Sequence, residues 1–152
     1  MKIRLSLLLF VLLINIVFAD YKGWNEKTAK KENYLINNGM TPYQANYTIN
    51  KCKRESDNPK WCVELITHLW IHEGARGTSE RCKKNNNCFW LFAGNKYYNN
   101  YEESIEDWII RFNKYWHNSN CYNMVYLSRY TITQQKERVN NCNITFYNLN
   151  NL

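Results

Sequence analysis

The sequence has few residues that break regular structure or build flexible linkers. Only 5 of its 152 residues are glycine and 2 are proline, and no stretch rich in either divides the chain. It contains no internal repeat, no glycine-rich phosphate loop and no G-x-S-x-G element, so a Ser/His/Asp triad would lack its usual signature. These absences favour one domain and argue against the common nucleotide-binding motifs.

Long hydrophobic runs are also scarce, and the single one lies at the beginning. Lys2 and Arg4 precede an apolar stretch from Leu5 to Phe18, which ends at the small residue Ala19. Because the run is shorter than the roughly 20 apolar residues that span a bilayer, it indicates a cleaved export signal. We therefore expect residues 1–19 to be a signal peptide, the mature chain to begin near Asp20, and no stable membrane insertion.

The cysteines have no paired CxxC spacing, which argues against a zinc site. An even number in an exported chain predicts three disulfides, although six cysteines allow 15 pairings. Pairing of sequence neighbours would give Cys52–Cys62, Cys82–Cys88 and Cys121–Cys142.

The net charge of +7 falls to +5 when Lys2 and Arg4 leave with the signal peptide. A basic protein favours anionic partners such as cell-wall polymers, membrane surfaces or nucleic acid, and export argues against nucleic acid. Aromatic residues make up 16% of the chain, and they either fill the core or stack on sugar rings. We expect a monomer with a polysaccharide partner.

Capping residues and apolar spacing predict four helices before residue 117. These are a helix from about Asn25 to Asn38 that stops at Gly39, a helix that opens at Thr41-Pro42, a helix from Asn58-Pro59 to Glu73, and a helix that opens at Ser104 with Asp107 as capping-box partner and reaches Trp116.

The segment between the last two of these helices has a different pattern. Phe89–Phe92 and Lys96–Tyr98 are short β-prone runs on either side of Ala93-Gly94-Asn95, which predicts a small hairpin. One or two further helices are expected within Tyr122–Leu152. The expected fold class is mainly α (α+β), with a small β-hairpin lobe and disulfide stabilisation.

Glu73 continues the apolar face of the third helix, at its carboxyl end. Burial and the partial negative charge of the helix end both disfavour a carboxylate, so we expect Glu73 to stay protonated near neutral pH. A protonated acid is what glycoside hydrolysis requires for the leaving oxygen. Gly74 and Gly77 would let a ligand approach; the alternative is a helix-end glutamate that faces solvent. The other members of the face are Cys62, Ile66, Leu69 and Trp70.

The segments His72–Ser79 and Asn85–Phe89 resemble the signature of lysozyme-like glucosaminidases and lytic transglycosylases, most of all glycoside hydrolase family 73. The pattern is a helix, E-S/G-x-x-G-x-S, a short gap, N-N-x-F-G, a hairpin, and a helix that opens with Ser. The residues that match it are Glu73, Gly77, Ser79, Asn86, Asn87, Phe89, Tyr101 and Ser104.

The resemblance implies a two-lobed lysozyme-like domain over residues 20–152, with a glycan cleft between the lobes. It implies cleavage of β-1,4 bonds in peptidoglycan, with Glu73 as the general acid. Trp90 stands where the family has Gly, and Thr131 where Ala is usual. The substrate-binding residues predicted on this basis are Ser79, Asn86, Asn87, Phe89, Trp90, Tyr98 and Tyr130.

No second catalytic acid is clearly placed. Glu80, Glu102 and Glu103 are candidates, and each is also explained as a solvated charge. Hydrolysis and transglycosylation therefore both remain open, as does a non-catalytic lysozyme-like protein that binds glycan or another protein, or a cysteine-rich secreted effector.

His68 and His72 lie four residues apart on one helix and could bind a metal. Leu69 stands where a zinc-protease motif needs Glu, so we expect a packed histidine pair, no metal and no cofactor.

Overall fold

The computed structural model describes residues 26–89, 96–126 and 131–152. The predicted signal peptide, most of the predicted hairpin, Trp90 and Tyr130 lie outside the described residues.

The described residues are mainly helical, as predicted. Residues 26–37 form helix α1. The helices that follow are α2 (Pro42–Glu55), α3 (Pro59–His72), α4 (Glu80–Asn85), α5 (Tyr101–Arg111), which continues as a π-helical turn over Phe112–Trp116, α6 (Cys121–Tyr126) and α7 (Ile132–Asn150).

The two helices that begin at Thr-Pro and Asn-Pro start where the sequence predicts. Thr41 accepts a hydrogen bond from the backbone N–H of Gln44, whose side chain accepts one from the N–H of Thr41, which completes a capping box. The side chain of Asn58 accepts from the N–H of Trp61. Capping of orphan N–H groups explains both starts.

The predicted start of the fourth helix was wrong. Helix α5 begins three residues earlier because Asn100 caps it, accepting a 2.9 Å hydrogen bond from the N–H of Glu103. Ser104 is buried inside the helix, where its hydroxyl donates to the carbonyl of Tyr101. Asp107 is bonded to Lys96 and Tyr98, so it serves as no capping partner of Ser104.

The predicted β-hairpin does not appear among the described residues, where Phe89 and residues 96–98 are in no strand. Hydrogen bonds with residues 85–87 fix the position of residues 96–98. Asn86 donates to the carbonyl of Tyr98 and Asn87 to that of Lys96. The N–H of Tyr98 donates to the carbonyl of Asn85 at 3.0 Å.

Helix α3 lies at the centre of the core and packs against both α2 and α7, while α2 also packs against α5. Most of its side chains between Trp61 and Trp70 are buried, because it has neighbours on more than one side. The largest fully buried side chains are Trp70, Trp108 and Phe112.

The three disulfides join the sequence neighbours that were predicted to pair. Cys52–Cys62 ties α2 to α3, Cys82–Cys88 closes a six-residue loop around α4, and Cys121–Cys142 ties α6 to α7. Within the described residues, no helix has the length and apolar character needed to cross a bilayer.

Candidate active site

Glu73 caps the carboxyl end of α3, on the predicted apolar face. Cys62, Ile66 and Trp70 on this face are buried and Leu69 is partly buried. The side chain of Glu73 is only 11% exposed. The alternative of a helix-end glutamate that turns into bulk water therefore does not describe this residue.

Arg138 on α7 forms an ion pair with Glu73, a contact that the sequence analysis did not foresee. The ion pair joins the carboxyl end of α3 to α7 across 65 positions of sequence. Any group that binds Glu73 must therefore displace or share the Arg138 guanidinium.

A cleft of about 250 Å³ opens beside the ion pair, between the end of α3 and the first half of α7. Arg138 lines the cleft and also pairs with Glu73, so it connects the two. The residues that line it are His68, His72, Gln134, Glu137, Arg138 and Asn141.

The two histidines of the cleft are held neutral. Burial, followed by the neighbouring charges of His72 and Arg138, lowers the pKa of His68 to about 3. Burial also lowers the pKa of His72. Their rings lie 4.6 Å apart, and the Nδ1 of His68 is buried without a hydrogen-bond partner. In the part of the chain that the structure describes, no three His, Cys, Asp or Glu side chains form a metal site.

The backbone after Glu73 turns in the left-handed region, with φ values of 46° at Ala75, 53° at Arg76 and 79° at Gly77. Non-glycine residues rarely adopt this conformation, and such strain is often found at functional sites. The turn carries the chain from α3 towards α4, where Ser79 caps the new helix by accepting from the N–H of Cys82. Ser79, predicted to bind substrate, thus has a structural role.

The small residues at Gly74 and Gly77 are required by the packing of the chain itself. A Cβ on Gly74 would lie 2.8 Å from the carbonyl oxygen of Cys88, and one on Gly77 would lie 2.7 Å from the ring of Trp70. Gly74 therefore lets the turn after Glu73 pack against the Cys82–Cys88 loop.

Phe89 and Tyr98, also predicted to bind substrate, are both buried. The Phe89 ring packs against Trp70 and Tyr101, with centroids 6.3 and 5.9 Å away. The hydroxyl of Tyr98 donates to Asp107 at 2.6 Å. The side chains of Asn86 and Asn87 donate to backbone carbonyls of the same segment, and none of these four residues lines the cleft.

The three candidates for a second acid have partners away from Glu73. Glu80 pairs with Lys84, and Glu103 accepts hydrogen bonds from Asn99. A hydrogen bond to Glu102 raises the pKa of Tyr43. The acid that lines the cleft is instead Glu137.

No family model, curated protein or solved structure matches this chain.

The residues that sequence reasoning missed all lie on α7. Gln134, Glu137, Arg138 and Asn141 recur at intervals of three and four, which places them on one helix face. This spacing was visible in the sequence, but the partner of that face was not.

Proposed function

We propose that the protein is a secreted hydrolase that cleaves β-1,4 bonds of peptidoglycan, with Glu73 as its general acid. The observation that carries the proposal is that Glu73, nearly buried at the end of α3, meets the guanidinium that also walls a polar cleft. A buried acid next to a cleft lined by amides and imidazoles suits protonation of a sugar oxygen. Three disulfides fit export.

The mechanism requires Arg138 to release Glu73. A carboxyl group that is held by the guanidinium is not available to a substrate oxygen. Arg138 is partly exposed and lines the cleft, so an anionic group of the incoming glycan can compete for it. Once the guanidinium binds that group, the Glu73 carboxyl is released and donates a proton to the leaving oxygen.

The second carboxyl group in this scheme is Glu137. It lines the cleft one residue before Arg138, and its carboxylate would act on the attacking water as a general base. The neutral imidazoles and the amides of Gln134 and Asn141 would bind sugar hydroxyl or acetamido groups.

The ion pair also favours a second candidate, a non-catalytic glycan- or protein-binding protein. A glutamate that is permanently paired with arginine serves to join α3 to α7 and needs no substrate. In that case Glu73 stabilises the fold, and the cleft binds a glycan or a protein without cleaving it.

Digestion of purified peptidoglycan separates the two candidates. Wild type and Glu73→Gln are compared, with Glu80→Gln as the matched control because Glu80 is exposed and pairs only locally with Lys84. If Glu73 is the general acid, the activity of E73Q should be at least about 100-fold lower than that of wild type, while E80Q should stay as active as wild type.

Folding of each variant is checked by circular dichroism. Equal activity of E73Q and wild type, or no digestion by either, contradicts the enzyme. Mass spectrometry of the released fragments then identifies the reaction, since a reducing-end glucosamine, a reducing-end muramic acid and an anhydro sugar each come from a different cleavage.

A further inference from the structure

Four lysines from three helices line two adjoining clefts. The larger cleft lies between α1, α2 and α3, and the smaller one lies between α1, the first turn of α3 and the end of α7. The clefts measure about 440 and 390 Å³ and adjoin each other, because Lys27, Lys31 and Lys60 line both. Lys53 of α2 lines the larger one. Lys27 and Lys31 are four residues apart on α1, so they project from the same helix face.

These lysines lie close enough to repel one another. Burial, followed by the nearby charges of Lys60 and Lys27, lowers the pKa of Lys31, with Glu64 acting in the opposite direction. Burial also lowers the pKa of Lys53, and Lys31 contributes to that shift. Like charges brought together in partly desolvated positions oppose folding, and such clusters often mark a ligand site.

The beginning of α3 adds to the positive potential. Its capping residue Asn58 and its first residues Pro59 and Lys60 line the larger cleft. The amino end of a helix carries partial positive charge and attracts anions. Because the amino end of α3 lines the larger cleft, its partial positive charge adds to that of the lysines.

The protein's own acids balance only part of this charge. Glu64 is buried under the cluster, and its Oε1 lies 3.9 Å from the Nζ of Lys60, beyond hydrogen-bond distance. Glu32 acts on Lys53, which also donates a 2.9 Å hydrogen bond to the hydroxyl of Thr28. Around Lys31 the nearby charges are Glu64 on one side and Lys27 and Lys60 on the other.

We propose that these clefts bind a phosphate group, either as the free ion or as part of an anionic polymer. A phosphate carries between one and two negative charges and three acceptor oxygens, which suits several converging ammonium groups better than a single carboxylate does. Lysine binds phosphate as a point charge that approaches from many directions. The site is separate from Glu73 and does not depend on the proposed hydrolysis.

Isothermal titration of the full chain with inorganic phosphate and with a short linear polyphosphate, at constant ionic strength, tests the site. The variant is Lys27→Gln with Lys31→Gln, and the matched control is Lys83→Gln with Lys114→Gln, which removes the same charge from exposed positions elsewhere. We expect at least a tenfold loss of affinity in K27Q/K31Q and less than a twofold change in K83Q/K114Q.

Binding of both ligands, or of polyphosphate alone, supports the site, and the second result assigns it to a polymer. An equal loss in the two double variants would show an effect of net charge only and overturns the proposal, as does the absence of binding to wild type. The variant E73Q should bind phosphate like wild type, so this test and that of the hydrolase fail independently.

Discussion

At the scale of single residues, the contact between Glu73 and Arg138 decides most about function. The two residues are 65 positions apart in sequence, one at the end of α3 and the other on α7. Sequence spacing placed Glu73 on the buried face of α3. It could not show which cation α7 would bring to it.

Replacement of Arg138 by Gln tests whether the guanidinium that pairs with Glu73 takes part in the proposed reaction. In the proposed mechanism the guanidinium binds an anionic group of the glycan, so R138Q should lower peptidoglycan digestion by about tenfold or more while the protein stays folded. Arg138→Lys keeps the charge and should lose clearly less activity. Equal digestion by R138Q and wild type would mean that Arg138 has a structural role only.

His68 should make the protein sensitive to mild acid. Its pKa is near 3 in the folded chain and about 6.5 when unfolded, so the unfolded state binds a proton first as the pH falls. The stability that comes from neutral His68 is complete above pH 6.5 and decreases between pH 6.5 and 3.

Urea unfolding at pH 7 and at pH 4 measures the effect of His68. Wild type should lose about 1–3 kcal/mol more than His68→Gln over this interval. Parallel losses in the two proteins would contradict the prediction.

The left-handed turn after Glu73 gives two opposite expectations. Ala75 is exposed with a φ of 46°, so Ala75→Gly relieves strain and should stabilise the protein by up to about 1 kcal/mol. Gly77→Ala places a methyl group 2.7 Å from the Trp70 ring and should destabilise it by about 2 kcal/mol or more. Urea denaturation measures both, and the same sign for the two changes would refute the explanation.

At the scale of elements, two of the three predicted capping residues begin their helices and the third does not. Thr41 and Asn58 begin their helices as predicted, because a cap depends on residues only three positions away. Ser104 does not cap α5, because Asn100, four residues earlier, takes that role. The polar face of α7 had no predicted partner, since α3 lies some 70 residues away in sequence.

The stability of the contact between Asn87 and residues 96–98 should depend on the buried amide group of Asn87. Asn87 is almost fully buried, and its Nδ2 donates to the carbonyl of Lys96 at 3.1 Å. Asn87→Asp keeps the shape but removes the donor, and the cost should be about 1–3 kcal/mol in urea unfolding. Asn140→Asp, at an exposed position of α7, makes the same chemical change and is the control, which should cost clearly less.

At the scale of the whole molecule, the disulfides lower the conformational entropy of the unfolded chain by different amounts. In the loop-entropy relation, the 21-residue separation of Cys121 and Cys142 is worth about 3 kcal/mol, and the six-residue separation of Cys82 and Cys88 about 2 kcal/mol. C121A/C142A should therefore lower stability more than C82A/C88A, and calorimetry of the two double variants checks the order. A reversed order would point to lost contacts around α4 instead.

The three disulfide loops follow one another along the chain, and each closes before the next one opens. No covalent crosslink therefore spans residues 63–81 or 89–120. A single proteolytic cut in either stretch would leave two fragments joined only by the packing of their helices. Unfolding of such a nicked molecule would be a dissociation, and its midpoint would rise with protein concentration.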